Sequence, residues 1–276
     1  MKTVTLPHGE MVPALGQGTW MMGERRDCRA AEIAALRAGV EQGMTLIDTA
    51  EMYGEGAAET LIAEALGDVR NELFLVSKAY PQNASYGRLA TACEASLKRL
   101  GTDRLDLYLL HWRGSVPLGE TVEAMEALKS AGKIRNWGVS NLDTDDMIEL
   151  LAAGGRRCTT NQILYNLTRR GPEHDLLDWL SDHAMPAMAY SPVEQGRLVI
   201  NPTLAKVANT IGATPAQVAL AWSMRRDNVI AIPKAGTVAH VYENRAAADL
   251  ILSDADFAAL DTAFPRPTRR HPLEIL

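Results

Sequence analysis

The chain has 276 residues, of which 47% are hydrophobic and 22% charged, with a formal net charge of −6 at pH 7. That composition supplies a large globular core. Its charges are spread out, with only Arg266, Arg269 and Arg270 clustered near an end, which argues against a nucleic-acid surface. No apolar run approaches the roughly 20 residues that span a bilayer, and Met1 to Pro7 lacks the apolar core of a signal peptide.

Short β-rich runs alternate with helical patterns. Val4–Leu6 and Met11–Val12 flank Pro7-His8-Gly9 and read as a hairpin, because glycine permits the tight turn. Ala14–Gly18 is the first expected core strand. Arg29–Gln42 carries apolar residues at helical spacing and stops at Gly43. Further strand-like runs end near Asp48, Lys78, His111, Ser140, Gln162, Tyr190 and Pro233. Helical patterns fill the intervals at Ala57–Leu66, Tyr86–Leu100, Glu120–Ala131, Thr144–Ala152, Glu173–Asp182 and Pro215–Arg225, the last with a helix before it. Another helix is expected over Thr237–Ala248. The strand runs are almost continuously apolar, as in a sheet covered on both faces. Eight strands at intervals of about 30 residues fit a closed (β/α)8 TIM barrel, an α/β fold, with the hairpin capping its bottom. No linker or composition shift divides the chain, so residues 1–276 are expected to form one domain.

In such a barrel the carboxyl ends of all strands open on one mouth. Asp48, Lys78 and His111 end three apolar runs, and Tyr53 follows Asp48 closely. Ser140, Asn141, Gln162, Tyr190 and Lys234 stand at equivalent positions. Taken singly, Asp48 reads as a helix cap, Tyr53 as a packed aromatic, Lys78 as a solvated strand end and His111 as a core histidine. Together they form a proton-transfer set. Asp48 holds Lys78 charged, and the ammonium is expected to lower the pKa of the Tyr53 phenol from about 10. His111 donates a hydrogen bond to a substrate oxygen, and Tyr53 protonates a developing alkoxide. That chemistry suits carbonyl reduction.

Gly16-Gln17-Gly18-Thr19-Trp20-Met21 imitates the start of a dinucleotide fingerprint, with Asp48 as its ribose acid. Met21 stands where the third glycine belongs, Trp20 is too bulky beside a pyrophosphate, and Asp48 lies beyond the usual interval of about 20 residues. The glycines are expected instead to keep the mouth open near a ligand. Cys28, Cys93 and Cys158 have no metal or redox spacing and read as small hydrophobes in a reducing cytoplasm. The six histidines are scattered, which disfavours a metal centre.

The segments Gly16–Trp20, Asp48–Gly54, Ser77-Lys78, Leu110–Trp112, Gly138–Asn141, Asn161-Gln162, Tyr190–Pro192 and Ile232–Lys234 together resemble the aldo-keto reductase family, in order and over essentially the whole chain. Within it, the short loops resemble the compact bacterial branch of methylglyoxal and small-aldehyde reductases. The resemblance implies a barrel that binds a nicotinamide cofactor without a Rossmann domain. It implies Tyr53 as general acid, supported by Asp48, Lys78 and His111. Gly18, Thr19, Trp20 and Asp48 would border the cofactor. Ser140, Asn141 and Gln162 would hold its carboxamide, and Tyr190 would stack on its ring. Ser191, Val193, Gln195 and Gly196 would follow the pyrophosphate. Ile232, Pro233, Lys234, Ala235, Gly236, Thr237, His240, Glu243 and Asn244 would receive the adenosine end.

Two positions depart from the family pattern. His240 stands where arginine is frequent, and Ala235 where a phosphate-binding serine is common. With Lys234 retained, NADPH is the expected cofactor and NADH a weaker alternative. Trp20, Met21, Met52, Tyr80 and Trp112 could line an apolar substrate pocket. No Arg or Lys cluster marks a substrate phosphate, so a small uncharged aldehyde or dicarbonyl fits, turned over by a monomer. The rival readings are a cofactor-holding redox sensor with little turnover and a metal-dependent barrel hydrolase or isomerase.

Overall fold

The structure, a computed structural model, describes residues 1–276. Two strands form the hairpin, β1 (Thr3–Thr5) and β2 (Met11–Pro13), antiparallel with Val4 opposite Val12. Eight strands follow in sequence order: β3 (Gln17–Gly18), β4 (Leu46–Asp48), β5 (Phe74–Ala79), β6 (Leu105–Leu110), β7 (Ile134–Ser140), β8 (Cys158–Leu164), β9 (Ala187–Tyr190) and β10 (Val229–Ala231). Each lies parallel to the next. Parallel bridges pair Leu15 with Ala231 and Gly18 with Lys234, joining the first strand to the last. The sheet therefore closes on itself as the expected (β/α)8 barrel.

The helices between strands are α1 (Arg29–Glu41), α2 (Ala57–Leu66), α3 (Tyr86–Leu100), α4 (Leu118–Ser130), α5 (Thr144–Ala152) and α6 (Leu176–Asp182). Two helices, α7 (Pro202–Thr210) and α8 (Pro215–Ser223), lie between β9 and β10; α9 (Val238–Ala247) and α10 (Asp254–Ala263) end the fold. The sequence pattern missed α10, whose inward face offers little more than Phe257 and Leu260. A Ser253 capping box starts it instead. The expected helix at Glu173 begins later, because Gly171–Glu173 forms a 3-10 turn before α6.

Successive strand residues point to opposite faces, and the core divides accordingly. Outward residues such as Ile47, Leu75, Tyr108, Leu110 and Ile163 pack with the inner faces of the helices. Inward residues such as Leu46, Phe74, Val76, Leu107, Leu109, Met188 and Ile230 fill the barrel together with Val4, Leu6 and Val12 of the hairpin. The hairpin thus plugs the amino-terminal end of the barrel with apolar side chains. Continuing the inward alternation toward the opposite end reaches Asp48 on β4 and Lys78 on β5. The mouth chemistry therefore stands on a filled, rigid cylinder.

Gly16 and Gly18 serve closure rather than the open mouth expected of them. A Cβ on Gly16 would lie 2.6 Å from the Leu46 side chain, and one on Gly18 would lie 2.8 Å from the Ile232 carbonyl oxygen. Only glycine lets β3 press between β4 and the chain after β10. The Gly18 amide donates to the Pro233 carbonyl at 3.0 Å, completing the seam. No helix is long and apolar enough to cross a membrane.

Candidate active site

Asp48 ends β4, Lys78 is the penultimate residue of β5 and His111 directly follows β6, on three adjacent strands. Lys78 is fully buried, and Nζ spends its three protons on three oxygens. It donates to Asp48 Oδ2 at 2.8 Å, to the Thr49 carbonyl at 2.8 Å and to Tyr53 Oη at 3.2 Å. The second Asp48 oxygen, Oδ1, accepts from Gln162 Nε2 at 2.7 Å across the barrel. The acid is therefore saturated on both sides and fixed against rotation.

Tyr53 reaches Lys78 because the strand-to-helix connection after β4 is sharply bent. It opens a 3-10 turn in which Gly54 and Glu55 take left-handed backbone conformations, with φ of 56° and 54°. The Lys78 ammonium also lies 4.8 Å from the Tyr53 ring centroid. His111 meets the tyrosine ring edge-on at 5.9 Å. The four candidate catalytic side chains are thus brought together.

Electrostatics correct one expectation. Burial raises the Tyr53 pKa more than Lys78 lowers it, and Asp48 adds to the rise. The phenol is a firmly protonated donor, not one poised to ionise. Burial by itself would push the Lys78 pKa down, but Asp48 and then Tyr53 reverse this and the net direction is upward. His111 is depressed to about 3, first by burial and then by Lys78, so its ring is neutral across the physiological range. His111 Nδ1 is buried without a hydrogen-bond partner.

Ser140, Asn141 and Tyr190 form a second connected group. Ser140 Oγ donates to the Gln162 carbonyl at 2.9 Å. Asn141 is left-handed, with φ of 59°, and Nδ2 donates to the His111 carbonyl at 3.0 Å and to Ser140 Oγ at 3.1 Å. Tyr190 donates to Asn141 Oδ1 at 2.9 Å. Because Gln162 Nε2 donates to Asp48 Oδ1 and also to Met188 Sδ at 3.9 Å, only the Gln162 oxygen is free for a ligand. Thr19 is also tied to this floor, donating through Oγ1 to the Asp48 carbonyl at 2.9 Å.

The more distant candidates stand apart. Ser191, Val193, Gln195 and Gly196 occupy the segment after β9, where Gln195 and Gly196 are exposed. Ile232, Pro233 and Lys234 follow β10; the first two are buried and Lys234 is exposed. A Cβ on Gly236 would sit 3.1 Å from Lys234 Nζ, so the glycine leaves room for the ammonium beside it. Ala235 and Asn244 are buried, while Thr237 and His240 are exposed at the start of α9. Glu243 faces α8, accepting from Thr214 Oγ1 at 2.6 Å. Along the rim, Trp20, Met21 and Met52 are exposed, and Tyr80 and Trp112 meet edge-on at 5.9 Å.

Sequence reasoning missed several supports. The Thr49 carbonyl holds Lys78, and Glu51 Oε1 accepts from the Tyr80 amide at 2.7 Å and from Asn83 Nδ2 at 2.9 Å, fixing the Tyr80 loop. Glu51 lies inside the motif already singled out, so adjacency was a usable signal for it. Asn166, Arg169 and Glu194, which lie beyond the ends of β8 and β9, offered no such signal.

A closed barrel with an Asp–Tyr–Lys–His set at its mouth defines an oxidoreductase class, and residues 14–264 match the model of the Aldo/keto reductase family. The chain belongs to that family. Among its relatives, methylglyoxal reductase YeaE of Escherichia coli is 53% identical over 96% of this chain and 95% of its own length. Glyoxal reductase of Bacillus subtilis is 32% identical over 94% and 91%. An aldo/keto reductase from Klebsiella pneumoniae, solved in complex with NADP and acetate, superposes with a TM-score of 0.97 at 49% identity, covering all of both chains.

Proposed function

We propose that the chain is an NADPH-dependent reductase of small aldehydes and dicarbonyls such as methylglyoxal, with ketones as further substrates. The observation that carries this reading is the triple donation of Lys78 to Asp48, Thr49 and Tyr53. Because Lys78 donates into Tyr53 Oη, the phenol's own hydrogen is directed elsewhere, toward an incoming oxygen. When bound, the reduced nicotinamide supplies the hydride to the carbonyl carbon. Tyr53 gives its proton to the carbonyl oxygen, and the Lys78 ammonium stabilises the phenolate left behind. The buried Nδ1 of His111 has no acceptor, so the neutral ring carries its proton on Nε2. That N–H is the second donor to the substrate oxygen.

The residues present fit the cofactor. The Gln162 oxygen is free to accept from a carboxamide, and Tyr190 is held by Asn141. Lys234 is exposed beside the start of α9, which suits a phosphate. With His240 and Ala235 nearby, NADPH is preferred and NADH is the weaker alternative. The apolar rim of Trp20, Met21, Met52, Tyr80 and Trp112 suits a small uncharged carbonyl, and the names of the Escherichia coli and Bacillus subtilis relatives support that class. We further read residues 1–276 as a single domain acting as a cytoplasmic monomer.

The test is a screen of NADPH and NADH oxidation against small aldehydes, dicarbonyls and keto sugars. Turnover of methylglyoxal with a higher kcat/KM for NADPH is expected. A higher kcat/KM with NADH contradicts the cofactor assignment, and tight NADPH binding without turnover points to a sensor.

A further inference from the structure

The segment after β9 and the C-terminal tail are tied to the same arginine. Glu194 is 5% exposed and sits inside Ser191–Gly196. Asn166 Nδ2 donates to Glu194 Oε2 at 2.7 Å and to the Ser191 carbonyl at 2.9 Å. Arg169 donates to Glu194 Oε1 through Nη2 at 2.8 Å and Nε at 3.1 Å, while its Nη1 pairs with Glu274. Three non-glycine residues in the held segment have left-handed backbones: Ser191 at 48°, Glu194 at 49° and Gln195 at 55°. Such conformations persist only where the surroundings over-determine them. Burial alone would raise the Glu194 pKa, but Arg169 and Asn166 overcome it, so the acid is ionised.

The tail is laced across the same end of the barrel. Arg266 pairs with Glu173 at 2.9 Å, and Arg270 pairs with Asp145 at 2.8 Å and Asp175 at 3.2 Å. Arg170, next to Arg169, pairs with Asp261 at 2.7 Å. Docking of the tail therefore delivers Glu274 to Arg169.

We propose that Arg169, with Asn166 and Glu194, is a positioning clasp that holds Ser191–Gly196 ready for the cofactor and couples its binding to docking of the tail. The inference rests on the reading of the chain as an NADPH-dependent enzyme. Arg169 acts through Glu194. It keeps the strained segment in place before the ligand arrives, so binding pays less ordering cost. With Arg197, whose Nη2 donates to the same oxygen at 3.3 Å, it also balances the buried Glu194 carboxylate inside that segment. Coupling of this kind is reciprocal: the factor by which the docked tail tightens NADPH is the factor by which NADPH tightens the tail.

The experiment combines NADPH titration with hydrogen exchange over residues 265–274 for the wild type and for Glu274→Gln, Arg169→Met and Arg169→Lys. Glu274 is a surface side chain, 50% exposed, so its substitution leaves the fold intact. We expect Kd for NADPH to rise about fivefold in Glu274→Gln and about tenfold in Arg169→Met, sizes within ordinary coupling between sites. Adding Glu274→Gln to Arg169→Met should change nothing more, and Arg169→Lys should recover part of the loss. At saturating NADPH, kcat should stay within about twofold, which separates positioning from chemistry. NADPH should slow exchange in the tail of the wild type but not of Arg169→Met. Unchanged affinity in both Glu274→Gln and Arg169→Met, or wild-type tail exchange indifferent to bound NADPH, overturns the clasp. Failure of the wild type to bind NADPH overturns the functional reading along with it.

Discussion

Asp48, Lys78 and His111 stand at or beside the ends of three neighbouring strands of a filled cylinder, whereas Ser191, Gln195, Lys234 and His240 stand on connections and at the start of a helix. The first set is buried: Lys78 donates to Asp48 at 2.8 Å, and His111 closes edge-on against Tyr53. Much of the second set is exposed, and its left-handed backbone is held from behind by Asn166 and Arg169. Proton delivery needs fixed distances and suits strand ends, where neighbouring strands set the spacing. Enclosing a long, flexible, anionic cofactor, the role proposed for the second set, needs segments that can receive it, and the candidate segments are loops with separate supports. The contrast predicts large, all-or-none effects at the strand ends and graded effects on affinity at the far side.

The largest effect is expected from Lys78→Met. It removes the cation that stabilises the Tyr53 phenolate and leaves Asp48 with one unpaired buried oxygen. Turnover should fall by the 10²- to 10⁴-fold typical of acid catalysis. Breaking a buried pair from one side should also cost about 3–5 kcal/mol in stability, readable by denaturant unfolding. A loss confined to KM would erase the distinction between the two regions.

At the far side, Lys234→Ala should weaken NADPH binding about tenfold, as expected for loss of one charge-assisted contact. NADH binding and kcat should hardly change. Equal weakening of both cofactors would place Lys234 away from the 2′-phosphate and redraw the boundary between the regions.

The smallest effect on turnover concerns pH. His111 titrates at about 3 in the folded chain and near 6.5 when unfolded. Between those values the unfolded state binds a proton that the folded state refuses, so stability falls as pH drops from about 6.5 toward 3. His111→Gln should flatten that decline in acid unfolding curves. Activity should show no inflection from His111 near pH 6.5; one there would mean that the ring is not held neutral.

The strand-end cluster was legible because an apolar run that stops at Asp48, Lys78 or His111 carries both the strand and its register. Gly16 and Gly18 were visible but misread: their sequence says small, and only the seam between β3 and the chain after β10 says why. The bond from Gln162 to Asp48 spans 114 positions and exists only once the barrel is closed. Glu194 carries no signal of its own in sequence, because its partners Asn166 and Arg169 stand 28 and 25 positions away and reach it only in the folded chain. The direction of the Tyr53 pKa was misjudged for a related reason. Neighbouring charge can be inferred from composition at a motif, but the desolvation that outweighs it comes from the packing around the hydroxyl. Helix α10 was hidden because its apolar set is too small to show a period, while its capping box and its ties to Arg170 hold it in place.

The most direct test of the central claim, that Tyr53 is the proton donor set by Lys78, is a single-turnover measurement on Tyr53→Phe loaded with NADPH and mixed with methylglyoxal. Cofactor binding should stay within about twofold of wild type, and oxidation of bound NADPH should slow by at least about 10²-fold. NADPH oxidation at a near wild-type rate in that variant would contradict it.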